Sequence, residues 1–270
     1  MQGLEKFIPT EKKISYINQL LTVGFDTLDC GSFVSAKAIP QLKDTAEVLS
    51  QLNPSATKLL VIVANTRGAE EASKFETISY LGFPLSISET FQKRNTNKSI
   101  VEALNAVEEM QEICDRSRKQ LVIYISMGFG NPYGDPYDES IVAQFTDILS
   151  TLGIKTISLA DTIGVSTPAQ ITGLFTSLIP KFPHIEFGAH LHSNPMTALD
   201  KIKVAYDAGC QRFDGAIKGF GGCPMAEDEL VGNLATETIV SYLESRGVNT
   251  GLNKEAFQKA ILLADSVFVK

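Results

Sequence analysis

The chain has 270 residues, 44% of them hydrophobic and 20% charged, and a formal net charge of −7. That balance excludes a disordered chain, which lacks the apolar residues to build a core. It also argues against nucleic acid as a main partner, since phosphate contact needs clustered Lys and Arg.

No run of about 18 apolar residues marks a membrane span. The opening "MQGLEKFIPTEKK" lacks the apolar core of a signal peptide. The cysteines Cys30, Cys114, Cys210 and Cys223 do not read as a disulfide framework in so long a chain, so a reducing cytoplasm is the expected location.

The predicted elements alternate. A helix spans about 10–21, and "TLDCGS" (27–32) reads as a short strand. A second helix starts at about Ile39, with Leu42, Ala46 and Leu49 at helical spacing. "TKLLVIVAN" (57–65) is an apolar, β-branched run, the mark of a strand buried on both faces. A helix over "GAEEASKFETISYL" (68–81), a strand over "FPLSISE" (83–89) and a long helix over about 99–118 follow.

"LVIYIS" (121–126) is a strand, and 139–152 a helix stopped by Gly153. "KTISLA" (155–160) is a strand. The next helix has Thr167 as N-cap and Pro168 at its first position. "IEFGAHLH" (185–192) is a strand, followed by a helix with a similar start at Asn194 and Pro195 and a stop at Gly209. "RFDGAI" (212–217) is a strand, and helices over about 233–246 and 254–267 close the chain.

Strands and helices alternating at this spacing imply parallel βαβ units. No glycine-rich dinucleotide fingerprint follows the first strand, which weighs against a doubly wound open sheet. Polar residues recur at strand C-terminal ends: Asp29, Ser32, Asn65, Ser88, Glu89, Ser126, Asp161, His190 and His192. In a (β/α)8 TIM barrel these ends ring one mouth, so an α/β barrel in a single domain over 1–270 is expected. Only about seven strands are found where a barrel closes with eight, and the alternation opens on a helix. The first strand is therefore expected to be missing upstream of Met1, in an N-terminally truncated chain.

Four features carry candidate chemistry. His190 and His192 are two residues apart on a strand, so both side chains leave one face. They are either a metal pair or two polar residues bonded to backbone or water. Asp161 is a strand-end carboxylate or a local cap. Cys223 lies in the glycine-rich "KGFGGCPMAEDELVGN", where it is either a reactive thiol or incidental. Lys93 and Arg94 are an anion clamp or part of a solvated loop.

These segments together resemble the 3-hydroxy-3-methylglutaryl-CoA lyase family, a metal-dependent TIM-barrel group that includes isopropylmalate synthase. The resemblance rests on "CGSFVSAKAIPQLKDTAEVL", "SETFQKRNTNKSI", "SLADTIGVSTP", "GAHLHS", "GFGGCP" with "GNLATE", and "GVNTGLN", in that order along the chain. It implies His190, His192 and Asn233 as ligands of Mg²⁺ or Mn²⁺. It implies Cys223, Asp161 and Asp29 as catalytic groups, and Gln2, Ser126, Thr162, Lys93 and Arg94 as substrate-binding residues.

The family usually has Glu where Asp29 stands and often Asp where Ser193 stands. In the family the first strand ends in Arg-Asp-Gly-x-Gln, and Gln2 aligns with its last residue. The implied reaction is retro-Claisen cleavage of an acyl-CoA substrate to acetyl-CoA and acetoacetate, as in leucine degradation. The alternatives are a related aldolase or acyl-CoA condensing enzyme on the same barrel, or a truncated, inactive barrel. Neither nucleic acid nor membrane is expected as a partner, and a homodimer is left open.

Overall fold

The computed structural model describes Met1, residues 6–222 and residues 231–268. Seven strands pair in parallel in chain order: β1 (Thr27–Ser32), β2 (Lys58–Ile62), β3 (Ile78–Ser86), β4 (Gln120–Ser126), β5 (Thr156–Asp161), β6 (Glu186–Leu191) and β7 (Arg212–Phe213). The helices are α1 (Thr10–Leu21), α2 (Thr45–Ser50), α3 (Thr66–Ser73), α4 (Glu89–Thr96), α5 (Ile100–Ser117), α6 (Glu139–Thr151), α7 (Pro168–Lys181), α8 (Ala198–Asp207), α9 (Thr236–Ser245) and α10 (Lys254–Phe268).

The strands β2 to β6 are buried on both faces along most of their length. Leu59, Val61, Leu81, Phe83, Leu121, Ile123, Ile157, Leu159, Phe187 and Ala189 point outward into the main core beneath the helices. The alternate positions Leu60, Tyr80, Val122 and Tyr124 form a separate cluster on the inner face. This is why "LLVIV" shows no alternation: both of its faces lose water.

The sheet curls. The Asp29 carboxyl on β1 feels the charges of His190 on β6 and of Asp214 just after β7, and Tyr124 on β4 feels both carboxylates. Residues at opposite edges of a flat seven-stranded sheet would be too far apart for this, since neighbouring strands are about 4.8 Å apart. Among the described residues β1 and β7 do not pair with each other, and seven parallel strands curl into part of a barrel, the number the strand count predicts. Outside it α10 packs on α1 through Tyr16, Leu20, Ala256, Ala260 and Ala264.

Several predicted boundaries move. Residues 68–81 are not one helix. α3 stops at Ser73 and β3 already begins at Ile78, because Ile78 and Tyr80 suit a pleated surface and find β2 beside them. A short 3₁₀ turn, Pro40–Leu42, separates Ile39 from α2. Ser88 is not a strand end but the N-cap of α4, accepting from the Phe91 amide. α8 begins at Ala198 rather than at Pro195, and Asn194 instead accepts from the Met196 and Thr197 amides. "RFDGAI" keeps only two residues in the sheet, and Asn233 precedes α9. The Thr167 cap forms as predicted, and Gln170 completes a capping box.

Candidate active site

The parallel register puts the polar strand ends at one mouth. β6 pairs with β5 so that His190 lies opposite Ala160 and Leu191 opposite Asp161. Leu191 turns outward into the core. His190 and His192 therefore both turn inward, with ring centroids 5.6 Å apart.

His192 is 4% exposed. Burial, with His190 beside it, pushes its pKa down to about 4, although a Thr162 backbone hydrogen bond and the Asp161 charge pull upward. Its ring is therefore neutral at physiological pH, the form that binds metals. Its Nδ1 is buried with no hydrogen-bond partner, an expensive condition for a polar atom.

Asn233 arrives from the far side of the glycine-rich segment. It forms an antiparallel bridge with His192, flanked by Ser193 N–H donating to the Gly232 carbonyl at 2.9 Å and Leu234 N–H donating to Leu191 at 3.3 Å. Its Nδ2 donates to the Phe220 carbonyl at 3.1 Å, which leaves Oδ1 as the acceptor end of the amide. Gly219 makes this approach feasible. Its φ is +67°, and a Cβ there would lie 2.9 Å from the Asn233 carbonyl oxygen.

Behind the histidines lies a buried ion pair. Asp161 is 1% and Lys201 is 4% exposed, and Lys201 Nζ donates to Asp161 Oδ2 at 2.7 Å. The same ammonium donates to the carbonyls of His192 (2.9 Å) and Gly164 (3.1 Å). Asp161 also accepts from the Val165 amide at 2.9 Å and from the Ser166 amide and hydroxyl at 3.0 and 2.6 Å. Both of its oxygens are therefore committed within the protein.

The lumen beside His190 holds four groups that the sequence reading missed. Asp214 Oδ2 lies 3.2 Å from His190 Nδ1 and accepts from Ser158 Oγ at 3.1 Å. Arg212 donates to Glu186 at 3.0 Å. The Tyr124 ring meets His190 edge-on at 5.2 Å. Asp214 ends "RFD" just past a strand, and the rule that picked out Asp161 applies to it equally. Tyr124, Ser158 and Arg212 lie within strands, and nothing local marks them.

Asp29 also faces this lumen. It keeps access to solvent, but the surrounding protein pushes its carboxyl up to about 6, against the pull of the Met1 amine and His190. A carboxyl poised there can hold or release a proton near neutrality.

The remaining predicted residues are more scattered. Thr162 Oγ1 accepts from the Met127 amide at 2.9 Å, and Ser126 is buried at the end of β4. Lys93, on the exposed side of α4, pairs with Glu89 at 3.1 Å. Arg94 lies over the Tyr133 ring at 4.5 Å. Gln2 and Cys223 lie outside the described residues.

Two imidazoles and an amide oxygen form a mixed donor set that suits a hard divalent cation. The unpartnered His192 Nδ1 is the observation that fits such an ion. Among the described residues no group of three His, Cys, Asp or Glu side chains is gathered for a metal.

A parallel β/α barrel with its reactive groups collected at the strand C-terminal ends is the architecture of a barrel enzyme. The chain belongs to the HMGL-like family, whose model matches residues 1–263. It is similar to the hydroxymethylglutaryl-CoA lyase YngG of Bacillus subtilis, at 33% identity over 96% of this chain and 87% of the relative. The cytoplasmic 3-hydroxy-3-methylglutaryl-CoA lyase of Rattus norvegicus is 31% identical over 96% of this chain and 76% of the relative. A solved HMG-CoA lyase from Acinetobacter baumannii, in complex with coenzyme A and 3-methylmalate, superposes with a TM-score of 0.91 at 30% identity, covering 98% of this chain and 87% of that one.

Proposed function

We propose that the protein cleaves 3-hydroxy-3-methylglutaryl-CoA to acetyl-CoA and acetoacetate with the help of Mg²⁺ or Mn²⁺. The observation that carries this reading is the convergence of His190, His192 and Asn233 at the mouth of a barrel whose chain matches lyases of this substrate along nearly its whole length. These three residues would hold the cation, which supplies positive charge beside an oxygen that becomes anionic.

The protein's own groups account for the proton movements. A base takes the proton of the tertiary alcohol. The O–H electron pair becomes the new ketone of acetoacetate as the C–C bond breaks, and the bonding pair passes to the acetyl-CoA enolate, which takes a proton at carbon. Asp29 suits the base, since its carboxyl is held at about 6 inside the lumen. We assign Cys223 to the final protonation and to excluding water. Asp161, with both oxygens committed, builds the mouth through Lys201 rather than moving protons. Gln2, Ser126 and Thr162 are assigned to the substrate acyl group, and Lys93 and Arg94 to the CoA moiety.

The free thiols Cys30, Cys114 and Cys210 suit a reducing compartment, and the cytoplasm is the location we propose. Among the described residues no helix is long and apolar enough to cross a membrane.

The test is acetoacetate release from hydroxymethylglutaryl-CoA with Mg²⁺ or Mn²⁺ present. Cys223→Ala should abolish release while Mn²⁺ binding persists. Turnover of a 2-oxo acid with no acetoacetate would replace this reading with an aldolase or condensing enzyme.

A further inference from the structure

His190 can serve as a ligand only if one particular ring nitrogen carries the lone pair. An imidazole on a strand end, free to rotate and to exchange tautomers, would present the wrong nitrogen for much of the time. The surroundings of His190 remove that freedom.

Asp214 Oδ2 lies 3.2 Å from His190 Nδ1, and an ionised carboxylate can only accept. Nδ1 therefore carries a proton in this contact, and a neutral ring held this way has its lone pair on Nε2. Ser158 Oγ donates to the same Oδ2 at 3.1 Å, so two donors fix the rotation of the carboxylate. The edge of Tyr124 at 5.2 Å and the His192 ring at 5.6 Å confine the imidazole plane on its other sides.

The simpler account, that Asp214 exists to pair with Arg212, fits less well. Arg212 Nε is 3.9 Å from Asp214 Oδ1 and makes no hydrogen bond. The guanidinium spends its close contact on Glu186 at 3.0 Å.

We propose that Asp214, held by Ser158, is a positioning residue that locks His190 in the tautomer with its proton on Nδ1 and so presents Nε2 to the cation. Its relevance to metal binding rests on the function proposed above; the tautomer lock does not. Partners of this kind commonly carry 10–100-fold in metal affinity, about what the Asp214 contact is expected to contribute.

The chain has three histidines, His184, His190 and His192, so ring-¹⁵N spectra can be assigned by single substitutions. In metal-free protein above pH 8, His190 should show a protonated Nδ1 and an unprotonated Nε2. Asp214→Asn should mix or reverse that pattern and weaken Mn²⁺ binding, read by electron paramagnetic resonance, by about 10–100-fold. Asp214→Glu should recover much of both, and Ser158→Ala should lose only a few-fold. An unchanged His190 tautomer in Asp214→Asn overturns the proposal, as does Mn²⁺ affinity within twofold of wild type. If the wild type takes up no Mn²⁺ while the tautomer still depends on Asp214, the metal reading falls and the lock stands.

Discussion

Lys201→Met tests how the mouth is held together. Methionine keeps most of the side-chain length but removes the ammonium from a position where lysine is 4% exposed. Asp161, 1% exposed, would keep its donors on Val165 and Ser166. It would lose its only counter-charge within ion-pairing distance among the described residues. Removing one partner of a buried pair costs about 3–5 kcal/mol. The surviving donors pull the figure toward the lower end, while the His192 and Gly164 carbonyls each lose a charged donor, adding about 1 kcal/mol apiece.

A net loss of about 4 kcal/mol lowers the unfolding midpoint by roughly 10 °C for a chain of this size. Thermal unfolding followed by circular dichroism measures it, and urea titration with an unchanged slope confirms that stability alone has moved. In a cycle with Asp161→Asn, the double variant should lose at least about 2 kcal/mol less than the sum of the singles. A Lys201→Met loss below about 1 kcal/mol, or simple additivity in the cycle, would refute the reasoning. The His192 carbonyl would then need another anchor.

Two further outcomes follow from local geometry. Asp135 accepts from Ser88 Oγ (2.5 Å) and from the Thr90 amide (2.9 Å) at the start of α4, and the Ser88 hydroxyl bond holds its pKa below the usual 3.8. A depressed carboxylate contributes stability that is complete above the unfolded pKa and is lost as pH falls through the folded one. Asp135→Asn should cost about 1 kcal/mol at pH 7, with the gap to wild type closing as the pH of urea titrations falls below the usual 3.8 and through the depressed folded value. Gly219→Ala would force a side chain into φ +67° with its Cβ 2.9 Å from the Asn233 carbonyl. It should cost about 2 kcal/mol and weaken Mn²⁺ binding by moving Asn233; wild-type stability and affinity together would contradict the packing described.

Much of this protein was legible locally. Buried β-branched runs alternating with capped helices require parallel βαβ units, because only a crossover returns the chain to the same sheet edge. The Thr167–Gln170 box and the two-residue spacing of His190 and His192 are likewise properties of a few consecutive residues. So the barrel class, the histidine pair and its neighbour Asp161 could be found without coordinates.

What the tertiary structure alone decided is who meets whom. Lys201 finds Asp161 across 40 residues, and Asp214 finds His190 and Ser158 across 24 and 56. Asn233 reaches His192 only because Gly219 lets two backbones come close. The start of β3 at Ile78 was settled by β2 lying alongside, against a helical reading of the same residues. Partnerships of this length depend on strand register and on the curl of the sheet. A shift of one residue would turn each of these side chains to the opposite face, and no local pattern encodes that choice.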